Sequence, residues 1–289
     1  MDLRLSADEA LLRDGARDLL ARRAPLDTLA AAGADPPADD TGLWAEMARL
    51  GWLGLGVPEA RGGSGGTLVH LELVTEEIGR ALGPAAFVPV AVAAAVLEAG
   101  TGEGAGPLLA ALAAGSARPV PALSGRSGRV SGHPGVTVDA GRVTGGKGFV
   151  DAAGSADRLV ATALSAGDGL RVVVVDAGDP GVAVTPRATM AGLSTFRVRF
   201  DAAAVVADLG GAALVDVALT RAGVLQAAWC AGAAARLVED TVAYVSERVQ
   251  FDVPIGSFQS VQHRLADCSI LVAEATTLAR QAAAASADG

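Results

Sequence analysis

The side chains able to do chemistry are few and poorly grouped. His70, His133 and His263 have no serine or carboxylate at a spacing that would make an acid–base or nucleophilic pair, so surface or interface positions are expected for them. Cys230 and Cys268 lie 38 positions apart (268 − 230) in helical patterns. With no CxxC or Cys/His cluster, neither a disulfide framework nor a zinc site is expected. Gly62-Gly-Ser-Gly-Gly66 has no strand before it and no Gly-Lys-Ser/Thr after it, so it reads as a turn rather than a phosphate cradle. The densest stretch is Tyr244-Val-Ser-Glu-Arg-Val-Gln-Phe-Asp-Val-Pro-Ile-Gly-Ser-Phe-Gln-Ser-Val-Gln-His-Arg-Leu-Ala-Asp267. In it Arg248 ends one helix, where a guanidinium can satisfy C-terminal carbonyls. Phe251 reads as an apolar plug of the turn, and Gln259 falls in the first turn of the next helix.

The elements that must position these residues change texture twice along the chain. From Met1 to about Ala117 the apolar period is helical. Ser6 and Glu9 have capping-box spacing ahead of Leu11, Leu12, Leu19 and Leu20. Further helices are expected at Leu43–Leu50, Leu68–Leu82, Val90–Ala99 and Pro107–Ala114, with Gly51 and Gly83-Pro84 as stops. From about Pro119 to Asp208 short β-rich runs take over, at 136–138, 159–162, 170–175 and 195–200. From about Gly211 a long helical stripe runs through Leu214, Val217, Val224, Ala228, Ala235 and Val242. Phe251-Asp-Val-Pro-Ile-Gly256 breaks it, and Ser257 is placed to cap a second long helix striped by Val261, Leu265, Val272 and Leu278. Two long helices cannot close a bundle alone, so an exposed apolar face is expected unless a partner covers it.

Composition bounds the function classes. The 289 residues carry a net charge of −9, which disfavours a protein that coats nucleic acid but leaves room for one anionic ligand held by local arginines. Only Lys147 among the 23 basic residues is lysine. At 51% hydrophobic but 3% aromatic, the chain can bury a sizeable core, and that core must rest on Leu, Val and Ala. The longest apolar run, Ala85–Leu97, is too short for a bilayer and contains Pro89, and the N-terminus lacks a signal peptide's apolar stretch. No membrane partner and a cytoplasmic location are expected.

As a whole string, 244–267 resembles the acyl-CoA dehydrogenase family, whose members carry an Arg-x-x-Phe-Gly run followed by Gln and Leu-Ala-Asp/Glu. A second match is Trp44-Ala-Glu-Met-Ala-Arg-Leu-Gly-Trp-Leu-Gly-Leu-Gly-Val-Pro-Glu-Ala-Arg-Gly-Gly-Ser-Gly-Gly66, with Glu76-Glu-Ile-Gly79 following at the expected distance. The resemblance implies a multi-domain α+β fold. It assigns an N-terminal α-helical domain to 1–118, a small middle β domain to 119–209 and a C-terminal helical hairpin of the subunit-interface bundle to 210–289. It also implies FAD as cofactor, an acyl-CoA substrate, and a reaction in which a glutamate removes the Cα proton of the thioester while the flavin takes a hydride from Cβ.

Carried over residue by residue, Arg248 resembles the arginine that pairs with the FAD pyrophosphate, a task suited to a guanidinium fork. Phe251 and Gln259 match positions lining the FAD of an adjoining subunit, and Gln250 stands where a hydroxyl residue is common. Gly146-Lys-Gly-Phe-Val-Asp151 looks like the family's Gly-x-Lys-x-Trp-Ile-Thr segment, so Phe149 stands either for the tryptophan beside the flavin or for an ordinary core residue of the β domain, and Asp151 for a threonine that hydrogen-bonds the flavin. An ionised Asp151 accepts only and does not replace that donation. Three further features depart from the pattern. Asp252 replaces the turn glycine and brings a negative charge toward the pyrophosphate. The Thr-Glu-Pro-x-x-Gly-Ser-Asp signature is absent from Pro121–Arg129. No catalytic base is found: the usual segment is not in the chain, and the alternative position, 26 residues before Arg248, is Ala222. Trp229 occupies another spot where related chains often have glutamate, and Glu239, Glu247 and Glu274 read as solvated or paired helix surface. Arg221 lies two positions out of register with a substrate-site arginine. The expectation is a flavin-dependent acyl-CoA dehydrogenase chain in a homo- or hetero-oligomer with another chain of this family, or else a silent partner of the same fold.

Overall fold

The computed structural model describes residues 3–24, 41–83, 86–125, 127–128, 130, 134–189 and 194–286. His133 and two arginines of the 121–129 segment lie outside them. The helices are α1 (Ala7–Arg23), α2 (Thr41–Arg49), α3 (Leu68–Arg80), α4 (Phe87–Ala99), α5 (Ala105–Ala113), α6 (Ala213–Glu247) and α7 (Gln259–Ala285). Between α5 and α6 run β1 (Pro119–Ala122), β2 (Val136–Asp139), β3 (Arg142–Asp151), β4 (Arg158–Ser165), β5 (Gly169–Asp176), β6 (Val182–Arg187) and β7 (Thr195–Gly210). A hairpin of β8 (Val249–Gln250) and β9 (Val253–Pro254) joins the last two helices.

Contacts divide the chain into two units. The first comprises Met1–Thr28, Leu68–Gly83 and Val224–Gly289, and is helical. Here α1 opens with the expected capping box: the Ser6 hydroxyl accepts the Glu9 N–H at 3.2 Å, and the Glu9 carboxylate accepts the Ser6 N–H at 2.7 Å. Helix α3 is its core, buried from Leu71 to Gly79. A Cβ on Gly79 would run into the carbonyl oxygen of Trp229, and one on Gly232 into that of Glu76. The Glu76-Glu-Ile-Gly79 segment thus ends in a glycine because α3 and α6 cross backbone to backbone.

Burying α3 also buries Glu72, Glu76 and Glu77, and arginines from its neighbours answer them. Arg280 of α7 reaches Glu76 at 2.9 Å and Glu72 at 3.3 Å. Arg17 of α1 holds Glu77 through two bonds of 2.7 and 2.9 Å, and Arg80 pairs with Glu239 of α6 at 2.5 Å. One oxygen of Glu72 is buried without a partner among the described residues. Burial lifts the Glu72 carboxyl to about 7, against the pull of Arg280.

The second unit comprises Leu29–Thr67 and Pro84–Gly223. Its seven strands form one sheet in which β4, β2, β3, β7 and β5 close on themselves, since β4 also pairs β5; β1 and β6 are added outside on β4 and β7. Leu159–Ala163, Val172–Val175, Val198 and Phe200 supply its apolar interior. Three of its strands escaped the sequence pattern. Two prolines mask β1, which pairs only with β4 and so tolerates missing donors. Glycines mask β3, where Gly145 has φ +136° and passes too close to the Gly135 carbonyl for any Cβ. Pro186 masks β6, which pairs only with β7.

Helix α6 is the one described helix long and apolar enough to cross a membrane by length and composition. Its first turns bury Leu214, Val215 and Ala218 in the second unit; later, Val224, Leu225, Ala228 and Ala231 are buried in the first. The second long helix begins differently from expectation. Phe258 is its N-cap, with no side-chain cap, because the Ser257 hydroxyl donates to the Pro254 carbonyl at 2.7 Å.

Candidate functional site

The residues singled out by sequence fall into two clusters, one on each unit. The first lies on the outer side of the barrel. Phe149 sits in an irregularity of β3, between the pairs Lys147↔Val198 and Val150↔Phe196, with φ +55°. That conformation is costly for an aromatic residue and turns the ring out of the strand's alternation. The ring is 41% exposed, so Phe149 is not a core residue. The Arg187 guanidinium stacks on it at 3.9 Å, and the backbone of Gly128 (φ +82°) approaches so closely that a Cβ there would lie 2.9 Å from the ring edge.

Two residues along β3, Asp151 accepts the Thr195 hydroxyl at 2.7 Å. Asp151 itself is exposed to solvent, and only the atoms packed near its carboxyl push that group above the ordinary aspartate range, a shift the Thr195 bond partly opposes. Lys147, in the same segment, is fully buried. It donates to the carbonyls of Pro134 at 2.9 Å and Leu123 at 3.3 Å and to the Thr162 hydroxyl at 2.5 Å. Three acceptors match the three donors of an ammonium, although burial pulls its pKa down to about 7. Its place is structural. The sequence signal was its singularity, one lysine in a chain of arginines.

The second cluster is the 248–259 hairpin of the first unit. Gln250 and Val253 pair across a two-residue turn whose central residues, Phe251 and Asp252, have φ +54° and +64°. This is the geometry of a type I′ turn, in which glycine or a short Asx residue is preferred at positive φ. Asp252 suits its position better than Phe251 does. Phe251 is 87% exposed and touches Phe258 edge-on, ring centres 6.3 Å apart, so it is not the buried plug expected of it. Arg248 is exposed and makes no side-chain bond to helix carbonyls or ion pair among the described residues. The Gln250 side-chain amide donates only to the Val249 carbonyl at 2.7 Å, and Gln259 is exposed in the first turn of α7. These groups have donors to spare, and an uncommitted guanidinium fork flanked by glutamine amides fits a diphosphate. Asp252, in the turn itself, is an adverse charge.

No described side chain completes an acid–base pair. Ala222 is half-buried on α6, Glu239 is held by Arg80, and Glu247 and Glu274 are exposed on their helices. Arg221 is half-buried, and its surroundings lower its pKa despite the opposing charge of Glu98. Cys230 and Cys268 are exposed and unpaired, and His263 is exposed. An open pocket of about 350 Å³ lies between α5 and the sheet. Its charged groups are already engaged: the Asp157 carboxylate accepts the Arg118 N–H, and Arg158 pairs with Asp176.

Comparison with known proteins agrees with this architecture. Residues 6–116 match the acyl-CoA dehydrogenase N-terminal domain, and residues 209–289 match the C-terminal domain. Acyl-CoA dehydrogenase IpdE2 of Mycolicibacterium smegmatis is 30% identical over 94% of this chain and 75% of its own length. Acyl-CoA dehydrogenase FadE34 of Mycobacterium tuberculosis is 33% identical over 85% of this chain, which spans only 32% of that longer protein. Among solved structures, a variant of the Tcur3481-Tcur3483 steroid ACAD superposes with a TM-score of 0.87 at 33% identity, covering 98% of this chain and 78% of that one. The ChsE4-ChsE5 complex from Mycobacterium tuberculosis gives 0.88 at 27% identity, covering all of this chain and 80% of that one. With both terminal domains matched and these relatives aligned along nearly its full length, the chain belongs to the acyl-CoA dehydrogenase family.

Proposed function

We propose that this protein takes part in flavin-dependent α,β-dehydrogenation of an acyl-CoA as one subunit of a mixed assembly with a second chain of the family. The observation that carries this reading is the contrast within its site. Arg248, Gln250, Phe251 and Gln259 are exposed on one hairpin, Arg248 and Gln259 with no side-chain bond among the described residues, and no carboxylate occupies the base position at Ala222. Arg248 would hold the FAD pyrophosphate through its guanidinium fork, with Gln259 and Gln250 offering amide donors and Phe251 an apolar surface. Phe149 would lie beside the flavin ring. Bound FAD supplies the two-electron acceptor for the hydride leaving Cβ of the thioester. Removal of the Cα proton falls to a carboxylate of the other chain.

The exposed apolar side chains of the long helices, among them Leu237, Tyr244, Ile270, Leu271 and Leu278, support an interface there. Two similar structures bear the names of two-protein assemblies, which supports the same reading. We read 1–118, 119–209 and 210–289 as the three functional segments of the chain, and a cytoplasmic location accords with this role. A second reading, a catalytically silent chain that completes or stabilises a partner's FAD pocket, is favoured by the same lack of a base.

Purification alone and after co-expression with an adjacent family gene tests both. Flavin absorbance that is retained only with the partner, and bleaches when acyl-CoA is added, is the expected result. Bleaching by the chain alone overturns the partner reading. A stable assembly whose flavin content and turnover both survive R248Q in this chain overturns the FAD-holding reading and favours a silent chain that only stabilises its partner.

A further inference from the structure

Asp151 on β3, Thr195 on β7 and Arg187 on β6 are direct cross-strand partners, Asp151↔Thr195 and Arg187↔Thr195. Directly paired residues project to the same side of a sheet, so the three form one row of carboxyl, hydroxyl and guanidinium beside Phe149. Thr195 is buried, and its hydroxyl donates to Oδ1 of Asp151. Oδ2 has no hydrogen-bond partner among the described residues.

The charged groups around the row leave Asp151 unpaired. Arg187 lies over the Phe149 ring. Arg197, two residues along β7 and therefore on the same side, makes no ion pair with Asp151 among the described residues. Lys147 on β3 directs its donors to Leu123, Pro134 and Thr162. The short turn Ala153–Ser155, packed against β6 and β7, brings no titratable side chain.

We propose that Asp151 takes up one proton from solvent when a flavin ring covers this row, and then donates a hydrogen bond to the ring from Oδ2, the oxygen that Thr195 leaves unengaged. The proposal rests on reading Phe149 as a flavin neighbour. An ionised carboxylate can only accept, whereas the carboxylic acid restores the donor that a threonine would supply. Because Oδ1 is committed to Thr195, the proton is directed to Oδ2. Asp151 is exposed in the free chain, with its carboxyl shifted toward the neutral form, and a planar ring laid over the row removes the water that now solvates its charge. Since the bound state holds a proton that the free state lacks, binding weakens as pH rises, by up to about tenfold per pH unit.

FAD titration across pH tests this on the full chain, with any co-purifying partner retained, in wild type, D151N and D151T. Binding is followed by quenching of flavin fluorescence, and proton uptake by calorimetry in buffers of different ionisation enthalpy. Expected are a falling affinity with pH and uptake approaching one proton in wild type, and a flat profile without uptake in both variants, whose amide or hydroxyl donates at every pH. FAD bound with the same pH slope in all three overturns this proposal alone. FAD bound by none of them at any pH overturns the flavin reading and the proposal with it.

Discussion

The barrel row and the 248–259 hairpin differ in how far their side chains are engaged inside their own unit. Around Phe149 the connections are internal: Arg187 stacks on the ring, Thr195 bonds Asp151, and Lys147 is fully satisfied by two carbonyls and a hydroxyl. On the hairpin, Arg248, Phe251 and Gln259 stand in solvent, with one edge-on ring contact between Phe251 and Phe258. A group that is tied inside the fold stabilises the fold. One left exposed at a strained turn gains its value from something that binds there.

The contrast breaks most visibly at Lys147. K147M leaves the Pro134 carbonyl buried without its donor, and urea unfolding should show a loss of about 2–4 kcal/mol. A change no larger than that of a surface substitution would show that the barrel's interior bonds are not what holds it.

Glu72 sharpens the same point inside the helical unit. Its carboxyl is raised from 4.5 to about 7, so it binds a proton more tightly folded than unfolded. The stability tied to that proton is complete below about pH 4.5 and is lost as pH rises through 7. E72Q should therefore match wild type near pH 4.5 and exceed it by about 2–3 kcal/mol at pH 8, a difference read from unfolding curves at the two pH values. Equal pH profiles in the two proteins would show that Arg280 compensates the charge fully.

R248Q should do the opposite of K147M. Unfolding stays within about 0.5 kcal/mol of wild type, while FAD affinity falls about 10- to 100-fold through loss of a charge-assisted fork. A destabilised R248Q would place the hairpin with the barrel as a structural element. The smallest effect is expected of D252G, which removes the adverse charge and places glycine at φ +64°. FAD affinity should rise by about 3- to 10-fold, on the order of 1 kcal/mol, with little change in unfolding.

Much of this was legible in the residues, though unevenly. The capping box at Ser6 and Glu9, the stops near Gly51 and Gly83, and the two long C-terminal helices are local patterns, and local patterns survive folding. The glycine-rich β3 and proline-bearing β1 carry weak strand propensity. They become strands because neighbours pair with them, which no window of sequence contains. The site divides in the same way. Arg248, Gln250, Phe251 and Gln259 were found because they lie within one hairpin and match a family string. Arg187, Thr195 and Gly128 were missed, because they meet Phe149 and Asp151 only across strands or from a separate loop.

The sequence alone determined the order of helices, strands and helices, the family, and the absence of an acid at position 222. These depend on residue identity and local period. Only the tertiary structure decided that Glu72 is buried with an orphaned oxygen, that Lys147 is an interior donor, and that Asp151 shares a row with Thr195 and Arg187. Such facts depend on which distant residues displace water from a group, and burial and pairing are properties of the folded neighbourhood rather than of the residue.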